Sequence, residues 1–266
     1  MQTLRIGPKP FIAVDHAGTG DLVLFLHGIG GNKSNWHEQI AALAPRFHPV
    51  ALDARGWGAS DDYDGPLSIN DMAADVVRVL DLFGAPTAHI VGLSMGGLVA
   101  QHVWFNTPGR VHSLTLCDTS PGLSRSQSKE ELETFLRLRR QPLLDGKTPA
   151  DIAPGVAKSL IGPKAGPAAL QRLTDSIAAL HKDSYLKALE AVTRYPLEGD
   201  IATIGVPCLL MVGAEDHLTP PAVHVEMQKR IAGSRLVVIP DAGHLSNIEQ
   251  PQAFNKALLE FLRHVP

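Results

Sequence analysis

Cysteine is scarce: the 266 residues include two, Cys117 and Cys208. Two thiols cannot staple a chain of this length, so a disulfide scaffold is excluded. Each lies in an apolar run, Leu114-Thr115-Leu116-Cys117 and Cys208-Leu209-Leu210-Met211. They read as small buried hydrophobes, not as a redox pair. A basic excess is also missing. Lys plus Arg number 24 and Asp plus Glu 27, a net charge of −3. Nothing in that balance neutralises phosphates, so nucleic acid is not an expected partner. No apolar run approaches the roughly 18 residues of a membrane helix. The first residues, Met1-Gln2-Thr3-Leu4-Arg5, carry no apolar signal segment. The expectation is a cytoplasmic protein that engages no membrane. The histidines are scattered, with no His-x-x-x-His pair and no paired cysteines, so no metal and no cofactor is expected.

What the chain does have is core-forming material. Hydrophobic residues make up 44 % and charged residues 19 %, which excludes disorder. Short apolar runs of β-type composition recur: Leu22 to Leu26, Pro49 to Leu52, His89 to Leu93, Val111 to Cys117, Pro207 to Val212 and Leu236 to Ile239. Continuous rather than alternating runs predict strands buried on both faces. Helical patterns lie between most of them. From Ser68 to Gly84, Ile69, Met72, Ala73, Val76, Val79, Leu80 and Phe83 share one stripe, with Ser68 as cap and Gly84 as stop. Pro251 to His264 is another, with Phe254, Ala257, Leu258 and Phe261 on one face. This alternation predicts an α/β protein with a mostly parallel sheet.

Residues 121–196 break the rhythm. They hold no convincing strand, and Pro142, Pro149, Pro154, Pro163 and Pro167 separate amphipathic pieces such as Glu130 to Arg140 and Asp183 to Arg194. Roughly 75 residues is too long for an ordinary connection. The reading is a core of 1–120 and 197–266, with 121–196 as a helical cap over a site.

The strongest chemical signal is Gly92-Leu93-Ser94-Met95-Gly96-Gly97, between the strand ending at Val91 and the helical pattern Leu98 to Phe105. Gly-x-Ser-x-Gly in that setting is a nucleophile elbow. The chain reverses so sharply that the residues two before and two after the serine crowd together, hence the glycines. A hydroxyl needs a base to become a nucleophile. On such a scaffold the order is serine, acid, histidine, with each partner after a later strand. Asp216 follows the strand ending at Val212, and His244 follows the strand ending at Ile239. Asp216 would orient His244, and His244 would take the Ser94 proton. Glu215, Asp241 and Asp118 are competing acids. A third element, His27-Gly28-Ile29-Gly30-Gly31, directly follows the first long apolar run. The Ile29 and Met95 amides would form an oxyanion hole. A phosphate loop is a poorer reading of these glycines, because Asn32 and Lys33 interrupt the pattern. Gly146-Lys147-Thr148 likewise fails as a nucleotide loop, with Gln141 where a glycine is needed.

Together these segments resemble the α/β-hydrolase fold family over essentially the whole chain. Asp53-Ala54-Arg55-Gly56-Trp57-Gly58-Ala59-Ser60 matches that family's segment after the next strand. Within the family the chain is similar to the 3-oxoadipate enol-lactonase group. The similarity is carried by the elbow, by Leu116-Cys117-Asp118-Thr119-Ser120 and by Ala242-Gly243-His244-Leu245-Ser246-Asn247-Ile248-Glu249-Gln250-Pro251. The resemblance implies an eight-stranded, mostly parallel sheet flanked by helices, with a helical cap inserted after strand 6. It implies Ser94, Asp216 and His244 as a triad, Ile29 and Met95 at the oxyanion hole, and no cofactor. One departure concerns the cap. Enol-lactonases pair a tryptophan with an arginine near the substrate carboxylate, whereas Gly122-Leu123-Ser124-Arg125-Ser126 has no tryptophan. Arg125, Arg137, Arg139 and Arg140 are the candidates for that role.

The expected function is a serine hydrolase acting on a small ester or lactone through an acyl-enzyme. Gly28, Trp36, Leu218 and Leu245 are expected at the pocket, with core packing as the other reading of Trp36. Leu93 and Leu245 stand where carbon–carbon hydrolases of ring-cleavage products carry asparagine and tryptophan, which argues against that activity; it is kept as an alternative. Ser94 stands where dehalogenases and epoxide hydrolases use aspartate. Hydroxynitrile lyases, cofactor-free perhydrolases and hydrolase-fold ligand receptors keep the triad and remain alternatives. Association into a homo-oligomer is left open.

Overall fold

The computed structural model describes residues 1–122, 128–194 and 199–266; of Arg194 only the backbone is described. The chain opens with an antiparallel pair, β1 (Gln2–Ile6) and β2 (Ile12–His16). These two have no continuous apolar run. β1 is an exposed edge, and only Ile6 of it is buried, which is why composition alone did not single it out. Next come β3 (Leu22–Leu26), α1 (His37–Leu43), β4 (His48–Leu52), α2 (Ile69–Leu82), β5 (Ala88–Leu93), α3 (Met95–Asn106) and β6 (Val111–Cys117). β3, β5 and β6 are buried almost end to end, because helices cover both faces of the sheet. α2 forms where expected. The Ser68 hydroxyl accepts from the Asp71 N–H, and Phe83 falls one residue past the helix, followed by Gly84 at φ +61°.

The connection after β6 is helical among the described residues: α4 (Lys129–Leu144), α5 (Pro149–Leu160), α6 (Pro167–Ala178) and α7 (Lys182–Arg194). The expected cap boundary at residue 196 lies outside the described residues. Two prolines depart from their expected place. Pro149 and Pro167 open helices, but Pro142 and Pro154 lie inside α4 and α5. An interior proline forfeits one hydrogen bond, and the remaining turns hold through reciprocal caps, Ser128 with Glu131 and Thr148 with Asp151.

β7 (Cys208–Gly213), α8 (Pro221–Arg230), β8 (Arg235–Ile239), α9 (Ser246–Glu249) and α10 (Pro251–Leu262) complete the chain. The eight strands are ordered β1-β2-β4-β3-β5-β6-β7-β8. Pairs from β4 to β8 are parallel, and β2 joins β4 antiparallel. β8 corrects one expectation. It is an edge strand with Val238 43 % exposed, not a strand buried on both faces. Both cysteines are free and buried. Among the described residues no helix is long and apolar enough to cross a membrane.

This order places the site. From β3 the chain crosses to β4 on one side and then to β5 on the other. The connections diverge above the carboxyl ends of β3 and β5 and leave a crevice there. The loops after β3, β5, β6, β7 and β8 all open toward that edge. They carry Gly28 and Ile29, Ser94, Asp118, Asp216 and His244.

Trp36 does not reach the crevice, which corrects its expected pocket role. It is 1 % exposed, and its ring centroid lies 4.8 Å from Phe25 and 6.1 Å from Phe254. A large indole filled the gap between sheet and α10 because that gap is apolar and deep. Trp36→Ala should therefore cost about 3–5 kcal/mol of stability, read as a lower urea midpoint. A KM change with unaltered stability would contradict this placement.

Candidate active site

The elbow is built on close approach. A Cβ at Gly92 would lie 2.2 Å from the Gly96 carbonyl oxygen, and one at Gly96 would lie 2.2 Å from that of Leu26. Only glycine fits either position. Between them Ser94 adopts φ 54°, ψ −117°, a region that side-chain-bearing residues avoid. The surroundings enforce it. The Ser94 N–H donates to the Cys117 carbonyl at 2.9 Å, and its own carbonyl accepts from Gly97 N–H at 2.9 Å and the Thr119 hydroxyl at 2.8 Å.

Three side chains from distant segments meet here. His244 Nε2 lies 3.0 Å from Ser94 Oγ, and His244 Nδ1 lies 2.9 Å from Asp216 Oδ2. With Nδ1–H donating to Asp216, the Nε2 lone pair faces the serine hydroxyl and can take its proton. Asp216 is itself fixed. Its Oδ1 accepts from the Leu218 and Thr219 N–H groups at 2.8 and 3.0 Å, and its Oδ2 accepts from the Thr219 hydroxyl at 2.7 Å. Burial alone would raise the Asp216 pKa. The His244 charge and bond, with the Thr219 donors, outweigh burial and hold it below the usual carboxylate range. Burial alone would lower His244. Asp216, then Asp118 and Glu249, outweigh it and hold the imidazole above its ordinary value.

The competing acids have other tasks. Asp118 is fully buried and accepts from the Gly213 N–H at 2.8 Å and from the Ser246 hydroxyl. Burial, reinforced by the Asp216 charge, pushes it up to about 8. Asp241 bonds to Lys164 at 2.6 Å. The carboxylate on the His244 ring is that of Asp216 and neither Glu215 nor Asp241.

The loop after β3 is equally tied down. His27 Nδ1–H donates to the Gly28 carbonyl at 2.7 Å, its Nε2 accepts from Ala54 N–H at 3.0 Å, and Trp57 Nε1–H donates to the Ile29 carbonyl at 3.0 Å. The buried Asp53 accepts from the Lys33 N–H at 2.7 Å, its ammonium at 3.0 Å and the Ala59 N–H at 2.9 Å. Ile29 and Met95 share a cavity wall with Ser94. Met95 is the first residue of α3, where an N–H has no intrahelical acceptor.

Two apolar clefts meet at Ser94, and both also touch Ile29, Phe135 and Leu218. One runs past Met95, Leu98, Thr119 and Val192. The other runs past His244, Gly28, Leu245, Val156, Leu173 and Tyr185 and includes Arg139. Gly28, Leu218 and Leu245 therefore line the clefts beside Ser94. Every helix from α4 to α7 supplies part of a wall: Phe135, Val156, Leu173, Tyr185 and Val192. Of the arginine candidates, Arg139 lies over the Phe135 ring at 5.5 Å and donates to Ser159 at 2.8 Å. Arg137 is exposed, Arg140 pairs with Glu190, and Arg125 lies outside the described residues. Sequence reasoning missed Thr219, whose spacing three residues after Asp216 suits a side-chain turn. It also missed the cleft-lining residues of α4 to α7, because the inward face of such helices has no motif.

With this geometry in hand, the comparisons are consistent. Residues 21–251 match the alpha/beta hydrolase fold family, and the chain belongs to it. It is 30 % identical to 3-oxoadipate enol-lactonase 2 of Acinetobacter baylyi over 93 % of this chain and 92 % of that protein. A thermophilic esterase from Thermogutta terrifontis, solved with malate bound, is 29 % identical with a TM-score of 0.89, covering 100 % of this chain and 99 % of that one. The enol-lactonase from Burkholderia xenovorans LB400 is 26 % identical with a TM-score of 0.85, covering 96 % and 97 %.

The His244 environment sets a pH dependence. The raised pKa keeps imidazolium populated to a higher pH than usual, and imidazolium cannot accept the serine proton. Labelling of Ser94 by a fluorophosphonate should be fast at alkaline pH. It should fall through a midpoint above the ordinary imidazole value of about 6.5 as pH decreases. A midpoint below that value would contradict the described surroundings of His244.

Proposed function

We propose that the chain is a carboxylic ester hydrolase that cleaves a small ester or lactone, with Ser94, His244 and Asp216 as its triad and residues 121–196 as its cap. The observation that carries this reading is the unbroken bonded series from Ser94 Oγ through the His244 ring to Asp216, at the junction of two apolar clefts. The enol-lactonase and esterase relatives support the same substrate class.

The reaction follows from the positions. Substrate binds with its carbonyl carbon over Ser94 and its carbonyl oxygen toward the Ile29 and Met95 amides. His244 Nε2 takes the hydroxyl proton as Oγ attacks. The tetrahedral oxyanion is stabilised by the two N–H groups, each worth roughly 2.7–4 kcal/mol at such sites. Asp216 holds the ring orientation and stabilises the imidazolium. His244 then gives its proton to the leaving oxygen, and the acyl-enzyme forms. A water activated by the same nitrogen attacks the acyl carbon and frees Ser94. In a lactone the leaving oxygen remains tethered to the acyl group, so one product molecule results.

The clefts assign the two halves of the substrate. The leaving oxygen needs His244, and His244 lines one cleft and not the other. The leaving group therefore occupies the cleft with Val156, Leu173 and Tyr185, and the acyl substituent occupies the cleft with Leu98 and Val192. Apolar walls of this kind favour small uncharged substituents. Arg139 makes the leaving-group side more tolerant of an anion than of a cation.

Ser94→Ala should lower kcat for aryl esters and lactones on the order of 10⁴–10⁶-fold while leaving the circular dichroism spectrum intact. Turnover unaffected by that change would refute the assignment. A panel of aryl esters, saturated lactones, enol-lactones, ring-cleavage products and peroxide with acetate, with products identified, fixes the reaction class. A burst of about one equivalent followed by a stall would indicate a ligand receptor instead. Val192→Phe should lower kcat/KM for long acyl chains, and Val156→Phe for bulky alcohols, each by roughly 10-fold or more. The reverse pattern would exchange the cleft assignment.

A further inference from the structure

The histidine loop is joined to the cap through one buried carboxylate that the reaction above does not use. Glu249, the last residue of α9, is 7 % exposed. Its Oε2 accepts from the Gly162 N–H at 2.8 Å and from the Gly243 N–H at 2.9 Å. Its Oε1 accepts from the Leu245 N–H at 3.1 Å. Gly243 and Leu245 flank His244 in the chain, and Gly162 lies just beyond α5 in the cap. The His244 N–H itself donates to the Leu160 carbonyl, the last residue of α5, at 2.9 Å. The two backbones lie so close that neither tolerates a side chain. A Cβ at Gly162 would lie 2.8 Å from the Gly243 nitrogen, and one at Gly243 would lie 2.4 Å from the Gly162 nitrogen.

We propose that Glu249 is a positioning residue for this hydrolysis: by gathering the N–H groups on both sides of His244 and that of Gly162, it makes seating of the cap and alignment of the imidazole a single event. The proposal rests on His244 being the base. Three N–H donors on one buried carboxylate form a charge-assisted set that holds backbone geometry closely. An imidazole displaced by about 1 Å loses on the order of 10²-fold in rate. Glu249 also adds negative charge near the ring. The other charged or titratable groups around His244 are Asp216 after β7, Asp118 after β6, His224 on α8 and Arg139 on α4. Asp216, Asp118 and Glu249 all favour the imidazolium.

Glu249→Gln keeps the size, removes the charge and leaves one oxygen to serve three donors. The alkaline plateau of kcat/KM should fall by roughly 10- to 100-fold. Its acid limb should move to lower pH by about 0.5 unit, because the imidazolium loses a stabilising charge. Gly162→Ala separates the cap from the loop without altering charge, so the plateau should fall and the limb stay. If Glu249→Gln does not fold, Glu249→Asp serves in its place: the charge remains, the reach is shortened, and the plateau should fall with the limb fixed. A Glu249→Gln protein with plateau and limb both unaltered would overturn the proposal. So would a lower plateau with a fixed limb and a proportionate loss of melting temperature, the mark of a purely structural role. The His244 titration is also read by histidine-ring NMR without substrate. A parent protein lacking Ser94-dependent turnover would then sink the hydrolase reading, while the ring titration still judges Glu249.

Discussion

A serine held at positive φ above the ends of a parallel sheet is the constraint on which this molecule turns. The conformation is costly in itself, by about 1–3 kcal/mol, and three hydrogen bonds from the neighbouring strand and helix maintain it. In return Oγ faces the cleft, and Met95, the first residue of α3, lines the same cavity. The crowding around Gly92 and Gly96 follows from that reversal. So does the burial of β5, because an elbow with a mobile strand beneath it could not hold the hydroxyl within 3.0 Å of His244.

Buried carboxylates do the remaining positioning, each satisfied in a different way. Asp53 ties Lys33, in the segment after β3, to Ala59 after β4. Asp118 joins β6 to β7 and to Ser246. Asp216 meets two amides, a hydroxyl and the imidazole. A buried polar or charged group without such partners would be costly, and here nearly every donor is a backbone N–H or a short hydroxyl. The crevice edge is thereby tied together by hydrogen bonds although it is made entirely of loops.

Membership of the alpha/beta hydrolase fold family accounts for the machinery but not for the choice of substrate. The walls of the clefts beside Ser94 come largely from the helices between β6 and β7, which furnish Phe135, Val156, Leu173, Tyr185 and Val192. The separation of duties has a physical basis. A sheet edge must hold atoms to fractions of an ångström, whereas a cap surface needs only shape.

The segments that carry Ser94, Asp216 and His244, the elbow glycines and the alternation of strand and helix were legible in the order of residues. Each of these rests on local rules: apolar period, turn chemistry, and glycine where backbones collide. β1 escaped such reading because an exposed edge strand needs no apolar run. Trp36 was ambiguous because an indole is equally suited to a core and to a pocket, and only its seat between Phe25 and Phe254 decides. Asp216 was preferred from its place in the chain, but its contact with the His244 ring, the residues of α4 to α7 that face the clefts and the contacts of Glu249 are set by tertiary structure. They depend on which groups meet across 28 to 150 residues of chain, and no local pattern encodes a meeting that exists only after the sheet and cap have closed around it.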